Sequence, residues 1–177
     1  MKKRTILALA LCLLFSVTAG CQQETGGDNK PTATEDRSLE YPPLPMTDAD
    51  FETLLQNANS FEIWHFAYNS DEILSCTTIA GKPHSYVGVE RIYATSAKED
   101  LNTVRNCFDG WSLSENQVPY NKMTLTALSV IIVFDNGLVF QCKDGHQNDG
   151  YGELVDISLF YLPAAFYDYV LNKLDAT

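Results

Sequence analysis

Residues 129–142 read SVIIVFDNGLVFQC, and this stretch decides the fold. Asn136-Gly137 between two apolar runs is the strongest short-range signal for a β-hairpin. A two-residue turn there pairs Val133 with Phe140 and Ile131 with Cys142 on one face. The other face carries Ile132, Phe134 and Val139, then Gln141 and Lys143. Both faces are largely apolar, so the hairpin is expected at the centre of a sheet, with at least one face fully covered.

Downstream, Lys143 to Gly152 reads as a polar, glycine-rich loop. Glu153 to Leu162 is expected to be one strand, with Val155, Ile157, Leu159 and Tyr161 on one side. Pro163 suits the first turn of a helix, and Phe166, Val170 and Leu174 mark its buried stripe. Upstream, residues 111–123 show no period and contain Pro119, so they read as a loop. Ser96 and Glu99 have the spacing of a capping box, and Leu101, Val104 and Phe108 lie along one face of the helix that follows. Asp109-Gly110 closes that helix. Earlier still, a single strand is expected over Tyr86–Ala94 and another over Ile73–Ile79, with Ala80-Gly81-Lys82-Pro83 as the break between them. FEIWHFAY, residues 61–68, is aromatic and β-branched and reads as a strand, followed by a turn at Asn69-Ser70-Asp71. Thr47 is a candidate N-cap, with Asp48 and Asp50 in the first turn of a helix predicted over residues 48–59.

The order is helix, three strands, helix, three strands, helix. No strand–helix–strand alternation appears. The fold class is therefore α+β: an antiparallel sheet of about five to six strands, with about two to three helices largely on one face.

The N-terminus has a different character. Lys2, Lys3 and Arg4 precede an apolar run from Ile6 to Val17, and small residues Ala19-Gly20 precede Cys21. A basic start, a short apolar core and a small-residue cut site make an export signal. The run is short for a membrane span, which needs roughly 20 apolar residues. Thr18-Ala19-Gly20-Cys21 resembles the lipobox of bacterial prolipoproteins, although Thr18 stands where that motif has Leu. The resemblance covers residues 1–21 alone. It implies that Cys21 is lipidated, that the chain is cut before it, and that the protein is held on the extracytoplasmic face of a cell membrane. Two or more buried acyl chains, at about 0.8 kcal/mol per methylene, anchor a protein where one chain binds only reversibly.

The expected organisation is a signal peptide over 1–20, a flexible tether over 21–44 and one globular domain over 45–177. Residues 22–40, QQETGGDNKPTATEDRSLE, bury too little apolar surface to offset ordering entropy. Prolines 42, 43 and 45 then stiffen the approach to the domain. Loss of Lys2, Lys3 and Arg4 from the 12 basic residues leaves 9 against 23 acidic ones, a net charge of −14. Such a chain is repelled by nucleic acid and by anionic headgroups, so membrane contact is assigned to the anchor. The protein or small-molecule partner is not identified by the sequence.

Candidate chemistry is sparse. Lys143–Glu153, KDGHQNDGYGE, gathers Asp144, His146, Asn148, Asp149 and Glu153, side-chain types that ligate cations. Aligned on Asp144, however, the stretch departs from the calcium-loop pattern. His146 stands where Asp or Asn belongs, Asp149 where Gly does, and Val155 where the bidentate Glu does. A solvated loop is the plainer reading, and no metal or cofactor is assigned. His65, His84 and His146 lack ligand spacing. Cys76 with His84 is a conceivable nucleophilic pair outside any signature. Cys76, Cys107 and Cys142 sit in apolar surroundings and are expected to be buried free thiols, with a single disulfide as the other arrangement. FYLPAAFYDYV, residues 160–170, is assigned to core packing rather than to a ligand groove. No catalytic residue emerges. The expected function is therefore a membrane-anchored binding or interaction domain, with a cell-envelope hydrolase as the alternative.

Overall fold

The computed structural model describes residues 41, 44–119, 130–142 and 151–176. Cys21, the export signal and nearly all of the tether lie outside them, as do Asp144, His146, Asn148 and Asp149. Residues 37–177 form a compact unit of their own. Among the described residues its elements are α1 (Asp48–Asn57), β1 (Phe61–Phe66), β2 (Ile73–Thr77), β3 (Pro83–Val87), β4 (Val89–Thr95), α2 (Lys98–Cys107), α3 (Leu113–Asn116), β5 (Val130–Phe134), β6 (Val139–Cys142), β7 (Tyr151–Leu154), β8 (Ser158–Tyr161) and α4 (Ala164–Leu174).

The fold is α+β. Six antiparallel strands form one sheet in the order β4-β1-β5-β6-β7-β8, and β2 pairs with β3 in a second, two-stranded sheet. The predicted hairpin lies at the centre of the large sheet, and both of its faces are covered. On one face, Val130, Ile132, Phe134, Phe140 and Cys142 pack with residues from all four helices, among them Phe51, Leu101, Leu113 and Phe166. On the other face, Ile131 and Val139 pack with Trp64, Val155 and Leu74, the last from the small sheet. The helix-side core is rich in aromatic rings. Phe140 lies 5.4 Å from Phe166, 5.8 Å from Phe108 and 6.3 Å from Phe51, ring centre to ring centre.

The hairpin register differs by one residue from the sequence expectation. The structure pairs Val133 with Val139, Ile132 with Phe140 and Val130 with Cys142. The connection is a three-residue loop, in which the Phe134 N–H donates to Leu138 O and the Gly137 N–H donates to Phe134 O. Only Gly137 has a positive φ, +90°; Asn136 does not. The cause is tertiary. The Asp135 carboxylate accepts from the Asn59 backbone and Asn136 Nδ2 donates to Leu54 O, so both side chains tie the turn to the end of α1. The slip exchanges the faces: Ile131 and Val133 turn to the small sheet, while Cys142, Phe140 and Leu138 stay under the helices.

Four further expectations are corrected. The strand expected over Tyr86–Ala94 is two strands in different sheets. They divide at Gly88, whose φ of +74° turns the chain from the small sheet to the edge of the large one. The strand expected over Glu153–Leu162 is also two, β7 and β8, which reverse at Val155-Asp156-Ile157. Ser96 does not cap α2. Ala97 holds the N-cap position, and Thr95 Oγ1 accepts from its N–H instead. Within the expected loop of 111–123, Ser112 caps the short α3, and Gln117 bridges to Phe160 at the β8 edge. Elsewhere the local signals act as read. Thr47 and Asp50 form a reciprocal capping box on α1, and Gly110 follows α2 at φ +71°. No helix among the described residues is long and apolar enough to cross a membrane.

Candidate functional site

The reversal between β7 and β8 places Asp156 at its tip with φ +66°, the left-handed region that Asp tolerates better than most side chains. Three donors from the small sheet and its connection converge on this carboxylate. Thr78 Oγ1 donates to Oδ2 at 2.5 Å, His84 Nε2 lies 2.9 Å from the same oxygen, and Lys82 Nζ lies 3.2 Å from Oδ1. The Asp156 side chain is 11% exposed. Burial would raise its pKa, but the hydrogen bonds from Thr78, His84 and Lys82 outweigh burial and hold the carboxyl below its usual range. The cluster therefore clips the small sheet to the β7–β8 turn.

Around it lies a belt of polar side chains between the two sheets. Cys76 and His84 are directly opposed across β2 and β3, so they share a face. The His84 ring stacks on Tyr86 at 6.2 Å, and the Tyr86 hydroxyl accepts from Gln141 Nε2. Glu153 pairs with Gln141 across β6 and β7. Its pKa is raised, first by burial and then by the charge of Asp156, against a lowering from His84. The Cys76 thiol is pushed up by burial and, secondarily, by Asp156. Cys76, His84 and Asp156 thus stand in the order nucleophile, base, acid, but the acid and the burial both disfavour the thiolate that nucleophilic attack needs.

Beside the cluster opens a groove of about 630 Å³. Its apolar lining comes from Pro45 and Met46 before α1, Leu54 on α1, Ile79 and Ala80 in the β2–β3 connection, and Ile157 after the β7–β8 turn. Asp50, Thr53, Lys82 and Asp156 supply its polar groups. Ile79 is positioned by the central hairpin, because its N–H donates to Gly137 O at 2.9 Å. Neither Cys76 nor His84 lines this groove.

The sequence candidates fall as follows. Among them, Cys76 and His84 are brought together, and His65 lies apart from them on β1. Glu153, the one metal candidate within the described residues, lies on β7, and no three His, Cys, Asp or Glu side chains there are placed to hold a metal. Cys76, Cys107 and Cys142 are all unbridged; Cys142 is buried, and the other two are half-buried. The aromatic C-terminal stretch is core, with Phe160, Phe166, Tyr167 and Val170 buried. Its Tyr169 hydroxyl joins those of Tyr93 and Thr95 on the Asp100 carboxylate, a network that fastens α2 and α4 to β4. The central group, Asp156, escaped the sequence reading. An Asp inside an alternating apolar run was the available signal, since Asp is depleted in strands and favours turns. No protein-family model, curated protein or solved structure matches the chain.

Proposed function

We propose that this protein is a membrane-anchored extracytoplasmic lipoprotein whose globular domain binds a small ligand in the groove between α1, the β2–β3 connection and the β7–β8 turn. The anchor is supported by Lys2–Arg4, the apolar run and Ala19-Gly20-Cys21. The binding role is supported by the groove itself. Its volume of about 630 Å³ is that of a small-molecule site, with mostly apolar walls and a few polar groups. Two measurements test this. Fatty-acid labelling and membrane fractionation are expected to follow wild type and to be lost in Cys21→Ser; unmodified Cys21 in the membrane fraction refutes the anchor. The apolar fluorophore N-phenyl-1-naphthylamine is expected to bind wild type and to be excluded by Thr53→Trp, which places an indole over the groove from an exposed helix position.

The second reading, an envelope hydrolase, has one specific observation in its favour, the alignment of Cys76, His84 and Asp156. The raised thiol pKa and the absence of Cys76 from the groove lining weigh against it.

A further inference from the structure

The small sheet is a hairpin arm rooted at one end only. The chain enters it from β1 through residues 67–72 and leaves it for β4 at Gly88. At this root the Ala67 N–H donates to Gly88 O, the Gly88 N–H to Glu72 O and Ser70 Oγ to Val89 O. Gly88, at φ +74°, has the backbone freedom that a hinge requires. The tip, residues 78–82, keeps its own shape through bonds from the Thr78 N–H to Lys82 O and from the Gly81 N–H to Thr78 O. It is joined to the rest of the domain by contacts alone. The Ile79 N–H donates to Gly137 O, and Thr78, Lys82 and His84 all converge on Asp156.

Between root and tip the hold is slight. Leu74 is the one side chain of β2 and β3 that is buried; Cys76, His84 and Tyr86 on the same inner face are half-buried. Tyr86 adds a hydrogen bond from Gln141. A two-stranded hairpin has little stability without a partner surface, so its docked position depends on these few groups, Asp156 foremost. We infer that the small sheet is a hinged flap, turning about Gly88 and residues 67–72, clasped at its tip by Asp156. In the clasped position its tip supplies the Ile79, Ala80 and Lys82 wall of the groove. Opening hydrates the clasp and uncovers Leu74, while the helix-side core stays packed. The link between flap and ligand rests on the binding role proposed above; the flap itself does not. A ligand that touches Ile79 and Ala80 binds the clasped form, so it holds the flap shut by mass action.

The test is hydrogen exchange of residues 21–177 carrying Cys21→Ser, read peptide by peptide. Amides of β2 and β3 should exchange at least about tenfold faster than those of β5 and β6, with little dependence on urea below the unfolding transition, since a local opening exposes little surface. Asp156→Asn keeps the shape and removes the charge. It should speed exchange in the small sheet roughly ten- to a hundredfold, the range for losing one hydrogen bond to a charged group, with the weak urea dependence retained. Thr78→Val removes one donor and should act in the same direction by a smaller factor, and it carries the test should Asp156→Asn not fold. N-phenyl-1-naphthylamine at about ten times its dissociation constant should slow small-sheet exchange about tenfold. Small-sheet amides that share the protection and urea slope of β5 would overturn the flap. Separate exchange that neither variant changes would overturn the Asp156 clasp. Probe binding that leaves small-sheet exchange unchanged would overturn the link to the groove. Absence of probe binding would refute the binding role and with it that link, and the exchange of the unliganded protein would still decide the flap.

Discussion

Replacing Gly137 should cost more than its backbone conformation alone requires. At φ +90° any L-residue is strained, by roughly 1–2 kcal/mol. A Cβ built at this position also meets three backbone atoms: Ile79 N at 3.1 Å, Thr77 O at 3.2 Å and the Thr78 carbonyl carbon at 3.3 Å. Backbone cannot rotate aside as a side chain can, so the small sheet must shift. That shift endangers the Ile79 N–H to Gly137 O bond, worth about 1 kcal/mol. Gly137→Ala is therefore expected to cost about 2–3 kcal/mol, and Gly137→Val more. Gly110→Ala is the internal control. Its φ of +71° imposes similar strain, but nothing lies within 4 Å of the added Cβ, so about 1–2 kcal/mol is expected. Urea denaturation followed by near-ultraviolet circular dichroism measures both costs. If Gly137→Ala is no more destabilising than Gly110→Ala, the hairpin turn does not press on the β2–β3 connection, and the position of Ile79 in the groove wall is wrong.

Four other perturbations test the same structure. The Cys142 thiol, buried and pushed up by burial, should resist a thiol reagent at neutral pH in the folded protein. Half-buried Cys76 and Cys107 should react slowly, and all three should react after denaturation; rapid native labelling of Cys76 would revive the nucleophile reading. Asp156 has a depressed folded pKa, so its stabilisation is present above its unfolded value, near 3.8, and is lost as pH falls through the folded value. Asp156→Asn should therefore destabilise at pH 7 and converge on wild type in acid. Glu153 is raised above 4.5, so its favourable contribution is present below that value and lost as pH rises through the folded pKa. Glu153→Gln should stabilise at pH 7, with a gain that vanishes in acid; urea midpoints across pH give both signs. Phe140→Ala empties the centre of the aromatic core and should cost about 3–5 kcal/mol, read from the same denaturation curves.

What could be read from the chain follows the range of each signal. A capping box, a glycine after a helix and an apolar face repeating every third or fourth residue are local devices, so Thr47–Asp50, Gly110 and the stripe of α4 act as their sequences indicate. The central hairpin was legible because its flanking runs are apolar on both faces, and its two covers, helices and small sheet, fit that pattern. Its register was not. Asn-Gly marks where a chain turns, but loop length was decided by Asp135 and Asn136 reaching α1, contacts with groups about 80 residues away in sequence. Strand ends failed for a related reason. Tyr86–Ala94 keeps a single weak alternation through Gly88, although the two halves hydrogen-bond to different sheets. Ser96 has the residue type and spacing of a cap, but Thr95 Oγ1 accepts from the Ala97 N–H and donates to Asp100, and the helix begins after Ala97.

The candidate site was illegible because it belongs to no segment. Lys82 and Asp156 lie 74 positions apart and Thr78 and Asp156 lie 78 apart, so no spacing rule could pair them. Each sits where regular structure stops: the β2–β3 connection, the β7–β8 reversal and the approach to α1. A sheet whose central strands are covered on both faces leaves its polar connections at the ends of the strands, since buried loops would strand their backbone groups. Here three such connections meet beside the Gly137 turn. The covering of the central hairpin by helices on one side and the small sheet on the other brings α1 and the β2–β3 connection to the same end of the sheet. The groove is the space they leave there, and the Asp156 cluster is what holds one of its walls.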